Sequence, residues 1–405
     1  IVAFSLAFAT TGIAQNNEGQ DKTVDLGTQT TTELRKTQAV STIYSDELDK
    51  NATTSPYNAI YGLLPGLTVM QNTSWGTDKS RLNVRGRGSL NGDTPLFVVD
   101  GFARPIEYIN LSEIESISVL KDGAATALWG GRGANGVVLI TTKRGMYSKK
   151  EIKVDYKFGL GLPVNQPEFA DAYTYAKARN EALRYDGLQP DMDEASFLAG
   201  GNSDLYPNVD WQKEALRNHT TSHQLDITFR GGGKRLRYFS VLNYKNDMGL
   251  LNSKYTDYTD RYNSQMKKYF LNLRMNLDVD ITDATKLKLN MLGMLRETKR
   301  PTTSEATLFK QIFNTPSASF PVQTQNGLWG SNNVLKTNPI ANLADVGYYK
   351  LNQRMLQADL RLIQDLSVLT RGLSAELAIA YDNNATYQET AKKSFMYQTI
   401  EKGIG

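Results

Sequence analysis

Residues 269–281 read Tyr-Phe-Leu-Asn-Leu-Arg-Met-Asn-Leu-Asp-Val-Asp-Ile. The odd positions Tyr269, Leu271, Leu273, Met275, Leu277, Val279 and Ile281 are apolar, while Asn272, Arg274, Asn276, Asp278 and Asp280 between them are polar or charged. Side chains on a strand alternate between its two faces, so a period of two predicts a strand with one oily and one charged side. Weaker copies of the pattern occur at Ile152, Val154, Tyr156, Phe158, Leu160 and Leu162, set against Lys153, Asp155 and Lys157, and at Leu225, Ile227 and Phe229. Others run through Leu236, Tyr238, Leu242 and Tyr244, then Leu287, Leu289, Met291 and Leu295, then Leu356, Ala358, Leu360 and Leu362, and last Leu373, Ala375, Leu377, Ile379 and Tyr381. The chain thus carries seven strand signals, with a candidate eighth at Phe395–Ile400.

The connections between these strands alternate in length. Gly231-Gly232-Gly233-Lys234, Asp283-Ala284 and the stretch Thr370 to Gly372 are short, whereas the first-to-second, third-to-fourth and fifth-to-sixth connections are long. A transmembrane antiparallel β-barrel has short turns at one rim and long loops at the other, a rule that a soluble sandwich has no reason to obey. The pattern favours the barrel, with a soluble all-β domain as the competing architecture. Within the long loops, Asp171–Arg184 and Glu305–Phe313 read as short helices with solvated charged faces.

Composition narrows the chemistry. The charge of 46 Lys and Arg against 42 Asp and Glu nets only +4 and is spread along the chain, unlike a nucleic-acid arm. With no cysteine and two histidines, thiol catalysis, thiolate zinc sites and disulfides are excluded, and a histidine metal site has little to build on. His219 and His223 are four apart but sit where a strand begins, so they do not share a helical face. Ile1–Gln15 is apolar and uncharged, with Gly12 and Ala14 ahead of Gln15, which reads as the end of an export signal over residues 1–14. No later segment has 18 consecutive apolar residues.

The N-terminal third has short strands and glycine turns instead of long alternation, and reads as a compact α/β domain. Its pieces are a helix from Ala59, strands Leu82–Arg85, Leu96–Val99, Ile114–Leu120 and Val137–Thr142, a helix Gly123–Leu128, and a tight turn at Asp100-Gly101, with Ser112 as a helix cap. Gly131-Arg132-Gly133-Ala134-Asn135-Gly136 spells GxGxxG, yet a helix precedes it and a strand follows, the reverse of a dinucleotide site. Turn glycines with positive φ account for it better. No GxSxG, HExxH, Walker A or paired-carboxylate motif accompanies it, so the chain is read as no enzyme, with no cofactor and no metal.

Val84-Arg85-Gly86, Pro95-Leu96-Phe97-Val98-Val99-Asp100-Gly101, Ile114-Glu115-Ser116-Ile117-Ser118-Val119-Leu120-Lys121-Asp122, Ala127, Gly130 to Thr142 and Arg144-Gly145 follow one another in an order that resembles the plug domain of TonB-dependent outer-membrane transporters, and more narrowly the SusC/RagA family. Asn338-Pro339-Ile340-Ala341 is similar to that family's early barrel. The resemblance implies an α/β plug domain, residues 36–148, inside a 22-stranded barrel whose N-terminal part is residues 149–405. It also implies import of a nutrient, an oligosaccharide or a peptide, across the outer membrane of a Gram-negative bacterium of the Bacteroidota. Force from a TonB-ExbB-ExbD complex would open the plug, and a SusD-like surface lipoprotein would close over the barrel. Seven or eight strands cannot close so wide a barrel against outer-membrane lipid, so the chain reads as a fragment or as a truncated, non-transporting remnant. The extra domain that family members often carry before the plug does not fit after Gln15.

Residue roles follow from the same resemblance. Within the extended segment 15–35, Lys22, Thr23, Val24, Asp25 and Leu26 occupy the place of the stretch that pairs with TonB by strand addition, though only Gly27-Thr28-Gln29 looks similar. The plug motif is Arg85, Gly86, Asp100, Gly101, Glu115, Lys121, Asp122, Arg132, Gly133, Asn135 and Gly136, among which Arg85, Glu115, Lys121 and Arg132 are the candidate charges for holding the plug to the wall. Trp211, Tyr255, Tyr258 and Trp329 are candidate stacking platforms for substrate, or else interfacial and loop-packing aromatics. A ligand-sensing receptor is the rival function, and a surface hydrolase lacks any catalytic constellation.

Overall fold

The structure is a computed structural model and describes residues 2–7, 23–27, 30–32, 35–48, 50, 53, 55–71, 80–88, 92–147, 150–164, 166–257 and 262–400. Seven long strands run Glu151–Gly161, Thr220–Gly232, Leu236–Met248, Lys267–Asp280, Thr285–Pro301, Gly347–Asp365 and Ser374–Lys392, here called the first to seventh wall strands. They form an antiparallel meander in sequence order. Val2–Ala7, read above as part of an export signal, pairs antiparallel with the first wall strand and makes an eighth strand at that edge. The candidate strand at Phe395–Ile400 is not part of the wall. Tyr397–Thr399 pairs parallel with Trp329–Ser331 in the long loops, because Phe395 joins the apolar core there.

The wall is turned inside out relative to a soluble sheet. Along the fourth strand the polar row is the buried one: Lys268, Asn272, Arg274, Asn276 and Asp278 are 4, 1, 2, 1 and 7% exposed, while Leu271 and Leu273 are 39 and 49% exposed. The same outward leucine row continues through Leu295, Leu356, Leu377 and Ile379. A continuous apolar exterior over a polar interior is the pattern of a barrel wall in lipid. Among the described residues no helix is long and apolar enough to cross a membrane, which says nothing of strands.

Behind that polar face sits the plug, a five-stranded sheet ordered Val40–Tyr44, Ile114–Leu120, Val137–Thr142, Leu96–Val99, Phe102–Ala103. Val137–Ile140 is buried at every position because both faces of this sheet are covered. Ile43, Leu64, Leu82, Val99, Ile117 and Val138 pack one face, and Val24, Leu26, Val98, Leu120 and Leu139 the other. The Asp100-Gly101 turn has both residues at positive φ, 47 and 89°, and Asp100 tolerates this because its carboxylate accepts from Thr142 N (2.9 Å) and Thr142 Oγ1 (2.7 Å). The helix from Ala59 is instead the short turn Pro56–Ala59, the strand begins at Arg81, and Gly123–Thr126 passes into a 3-10 segment Ala127–Gly133. Of the three glycines in the GxGxxG string only Gly136 has a positive φ, 89°, and there a Cβ would lie 2.8 Å from Val84.

The long connections fold together over one rim. Helices Ala172–Tyr185, Glu194–Ala199, Trp211–Ala215 and Glu305–Asn314 are each capped by an Asp or Ser side chain, with Asp171 capping the first of them instead of opening it. Trp211, Leu251, Leu308, Phe320, Trp329 and Ile340 form the core of the last two of these helices, while Ala172, Ala176 and Phe197 of the first two pack with Ala318.

The chain leaves the plug through Lys143-Arg144-Gly145 tight against the third strand. A Cβ on Gly145 would stand 2.2 Å from Tyr238 N, a clash with backbone that no side-chain motion relieves. Replacing Gly145 with Ala is expected to destabilise the assembled protein by about 1–3 kcal/mol. Urea unfolding of the refolded protein measures it.

Candidate functional site

The seam between plug and wall holds the densest set of buried charges in the described chain. At its centre is Glu113, at the end of the 3-10 turn Leu111–Glu113. Asn110, not Ser112, caps this turn: Asn110 Oδ1 accepts from Ser112 N, and Glu113 Oε1 accepts from Asn110 N in return. That capping box aims the carboxylate at the fourth wall strand, where it accepts from Asn272 Nδ2 (2.6 Å) and Arg274 Nε (2.5 Å). Glu113 and Arg274 side chains are 0 and 2% exposed. Burial pushes the Glu113 carboxyl up, and the Arg274 guanidinium opposes it.

Other plug groups reach the wall above and below this pair. Arg104 Nη1 donates to Asp359 on the sixth strand (2.5 Å), while its Nε (3.0 Å) and Nη2 (2.8 Å) bind Asp382 on the seventh as a fork. Arg144 forks onto Asp278 (2.9 and 2.7 Å) and donates to Asn290 Oδ1 (2.8 Å). In the opposite sense, wall Arg361 donates to Asp100 O (2.9 Å), Arg296 to Glu107 O (2.8 Å), and Asn276 to Lys143 O (2.8 Å). Tyr108 packs on Phe270, Met294 and Met355 in an apolar patch of this seam. Every one of these plug residues lies between Asp100 and Arg144.

Of the four charges expected to hold the plug, only Glu115 faces the wall, 3.6 Å from Arg230. Lys121 Nζ instead donates to Ser41 Oγ (2.6 Å) and Pro65 O (3.0 Å) inside the plug, where burial and then Arg85 push its ammonium down. Arg85 takes a positive φ of 59° beside it, and Arg132 has no ion-pair partner among the described residues. Asp122 caps the Gly123 helix through Ala125 N and also accepts from Ala39 N; these two N–H groups hold its carboxyl below the usual range. A depressed carboxyl stabilises the fold above its unfolded pKa and loses that contribution as the pH falls through the folded value. Gly86 and Gly101 are turn glycines at φ 85 and 89°, and Asn135 donates to Gly92 O (3.2 Å), so these motif residues serve the plug's own turns. Gly133 fits so closely that a Cβ would lie 3.1 Å from Thr126 O.

The segment expected to meet TonB lies against the plug. Thr23–Asp25 pairs with Thr30–Thr32, Val24 and Leu26 are 0 and 6% exposed, and Asp25 accepts from Gly27 N and Thr141 Oγ1. Lys22 lies outside the described residues. The expected stacking aromatics are also buried: Trp211, Tyr255 and Trp329 are 3, 5 and 3% exposed, with their polar atoms bonded to Pro316 O, Glu214 and Asp345. They build the loop core, where no sugar ring can stack on them. Tyr258 lies outside the described residues.

Replacing Glu113 with Gln leaves Arg274 buried beside a neutral amide. The expected cost is about 3–5 kcal/mol of plug anchoring, read as faster hydrogen exchange over residues 100–144, and pairing the change with Arg274→Met is expected to recover part of it.

Comparison with known proteins agrees with this architecture. Residues 32–137 match the TonB-dependent Receptor Plug Domain family. The TonB-dependent receptor P26 of Formosa agariphila is 28% identical over 67% of this chain and 26% of its own length. TonB-dependent receptor SusC of Bacteroides thetaiotaomicron is 30% identical over 59% of this chain and 24% of its own length. The RagAB peptide importer in its open-open state aligns with a TM-score of 0.72 and 20% identity, over 93% of this chain and 44% of that one. The chain therefore spans about a quarter of the curated relatives it matches and under half of that solved structure. A plug sheet charge-locked to an inverted β-wall thus carries a TonB-dependent receptor plug domain over residues 32–137, in a chain similar in sequence to TonB-dependent receptors that include SusC and similar in fold to the RagAB importer.

Proposed function

We propose that this chain forms the plug and early barrel of an energised outer-membrane importer for an oligosaccharide or a peptide. The observation that carries the reading is the division of the plug. Its C-terminal half, Asp100 to Arg144, is tied to the wall through Arg104, Glu113 and Arg144, while Thr23–Leu26 at its N-terminal side makes no bond to the wall among the described residues and is held by apolar packing, one short strand pair and the single hydrogen bond from Thr141 Oγ1 to Asp25. A segment that must be drawn out by TonB needs such weak, local attachment, and one that must stay needs the other kind. Strand addition to TonB uses the backbone N–H and C=O groups of Thr23–Asp25 once they leave Thr30–Thr32. A SusD-like lipoprotein covers the rim that carries the long loops, and TonB-ExbB-ExbD supplies the force.

In the full-length protein, deleting Lys22 to Leu26 is expected to reduce uptake to the level of a strain lacking the gene while the barrel still inserts. Uptake that persists at the parental rate contradicts the reading.

A further inference from the structure

The outward face of the wall carries a charge pattern that transport does not use. The register places Lys267, Lys299 and Lys350 directly opposite one another on the fourth, fifth and sixth strands. All three share the face of Leu271, Leu295 and Leu356, which are 39, 49 and 52% exposed, so they point outward with the apolar belt and away from the plug. Arg354 stands on the same face beside Leu295 and is exposed. Glu297 bridges Lys299 (3.2 Å) and Lys350 (3.1 Å), and Glu389, opposite Lys350, accepts from Tyr348 Oη. Four cations therefore meet two carboxylates, and Lys267 and Arg354 have no ion-pair partner among the described residues. Like charges directly opposite in an antiparallel sheet repel, so three lysines in one row are unfavourable unless an anion lies over them.

Depth says which anion. From the Leu287 row to the Leu295 row the outward apolar face runs about 26 Å along the strands, or about 20 Å in depth at the usual tilt, most of the roughly 25 Å apolar band of such walls. The lysine row lies four residues further, about 13 Å along the strand and about 10 Å in depth, at the rim bearing the long loops. That is headgroup depth in the outer leaflet. Arg354 lies between, with a stem long enough to carry its guanidinium up to the same level. We propose that Lys267, Lys299, Lys350 and Arg354 bind the phosphate groups of a phosphorylated glycolipid of the outer leaflet, the four donors sharing its oxygens in charge-assisted hydrogen bonds. This site rests on the outer-membrane reading above and adds a lipid ligand to it.

The test uses the full-length protein, purified in detergent and examined by native mass spectrometry with diphosphorylated lipid A, with the same lipid dephosphorylated, and with inorganic phosphate as competitor. Replacing all four cations with Gln is expected to lower retained lipid A about tenfold or more, replacing the three lysines with Arg is expected to keep it, and Glu297→Gln is expected to raise it. Dephosphorylated lipid is expected not to be retained. Equal retention by the Gln variant, equal retention of dephosphorylated lipid, or complete displacement by millimolar phosphate overturns the lipid site. A protein that fails to insert into vesicles at all overturns the membrane reading and the lipid site together, whereas insertion without lipid discrimination overturns the site alone.

Discussion

Burial of charge between two surfaces organises this molecule. Arg104, Glu113 and Arg144 come from the plug, and Asp359, Asp382, Arg274 and Asp278 come from the wall. Neither domain can bury its share alone, since an unpaired ion in a dry interior costs several kcal/mol and its partner repays that only in good geometry. Such pairs add little net stability, but they make misplacement expensive. Moving the plug by one wall strand would set Glu113 against the fifth strand's Leu292 and Met294, leaving its carboxylate among apolar side chains.

The inverted wall follows from the same constraint. Because the plug fills the inner side with polar groups, Asn272, Arg274, Asn276 and Asp278 are buried, and the leucines between them are left to the outside. Outward leucines then need an apolar solvent, and cations above them need the polar layer that borders it. Plug charge, wall alternation and the outer lysine row are successive consequences of one strand pattern.

The wall was legible in the sequence because a strand of two unlike faces writes its period directly into the residue order, and the seven strands stand where the alternation placed them. Asp100-Gly101 was legible as a turn for an equally local reason. The wall partners of the plug were not, since Arg104 meets Asp359 across 255 positions and Glu113 meets Arg274 across 161. A local signal for Glu113 does exist in the Asn110-Leu111-Ser112-Glu113 capping box, whose cap is Asn110 where the sequence reading places a cap at Ser112. The aromatics Trp211, Tyr255 and Trp329 look like binding platforms in any loop-rich segment, and their burial depends on several loops folding together, which no single stretch records. The candidate strand at Phe395–Ile400 does not join the wall, because Phe395 packs into the apolar core of the loops.

The chain has no cysteine, so one engineered pair can test the docking of plug on wall without background. Ser112 Oγ and Asn243 Nδ2, on plug and third wall strand, lie 2.8 Å apart. With both replaced by cysteine in the full-length protein, the account predicts cross-linking by a short bifunctional thiol reagent in the assembled protein and none when Ser112→Cys is combined with a cysteine at outward Leu242. Free thiols at 112 and 243 in a correctly inserted protein would contradict it.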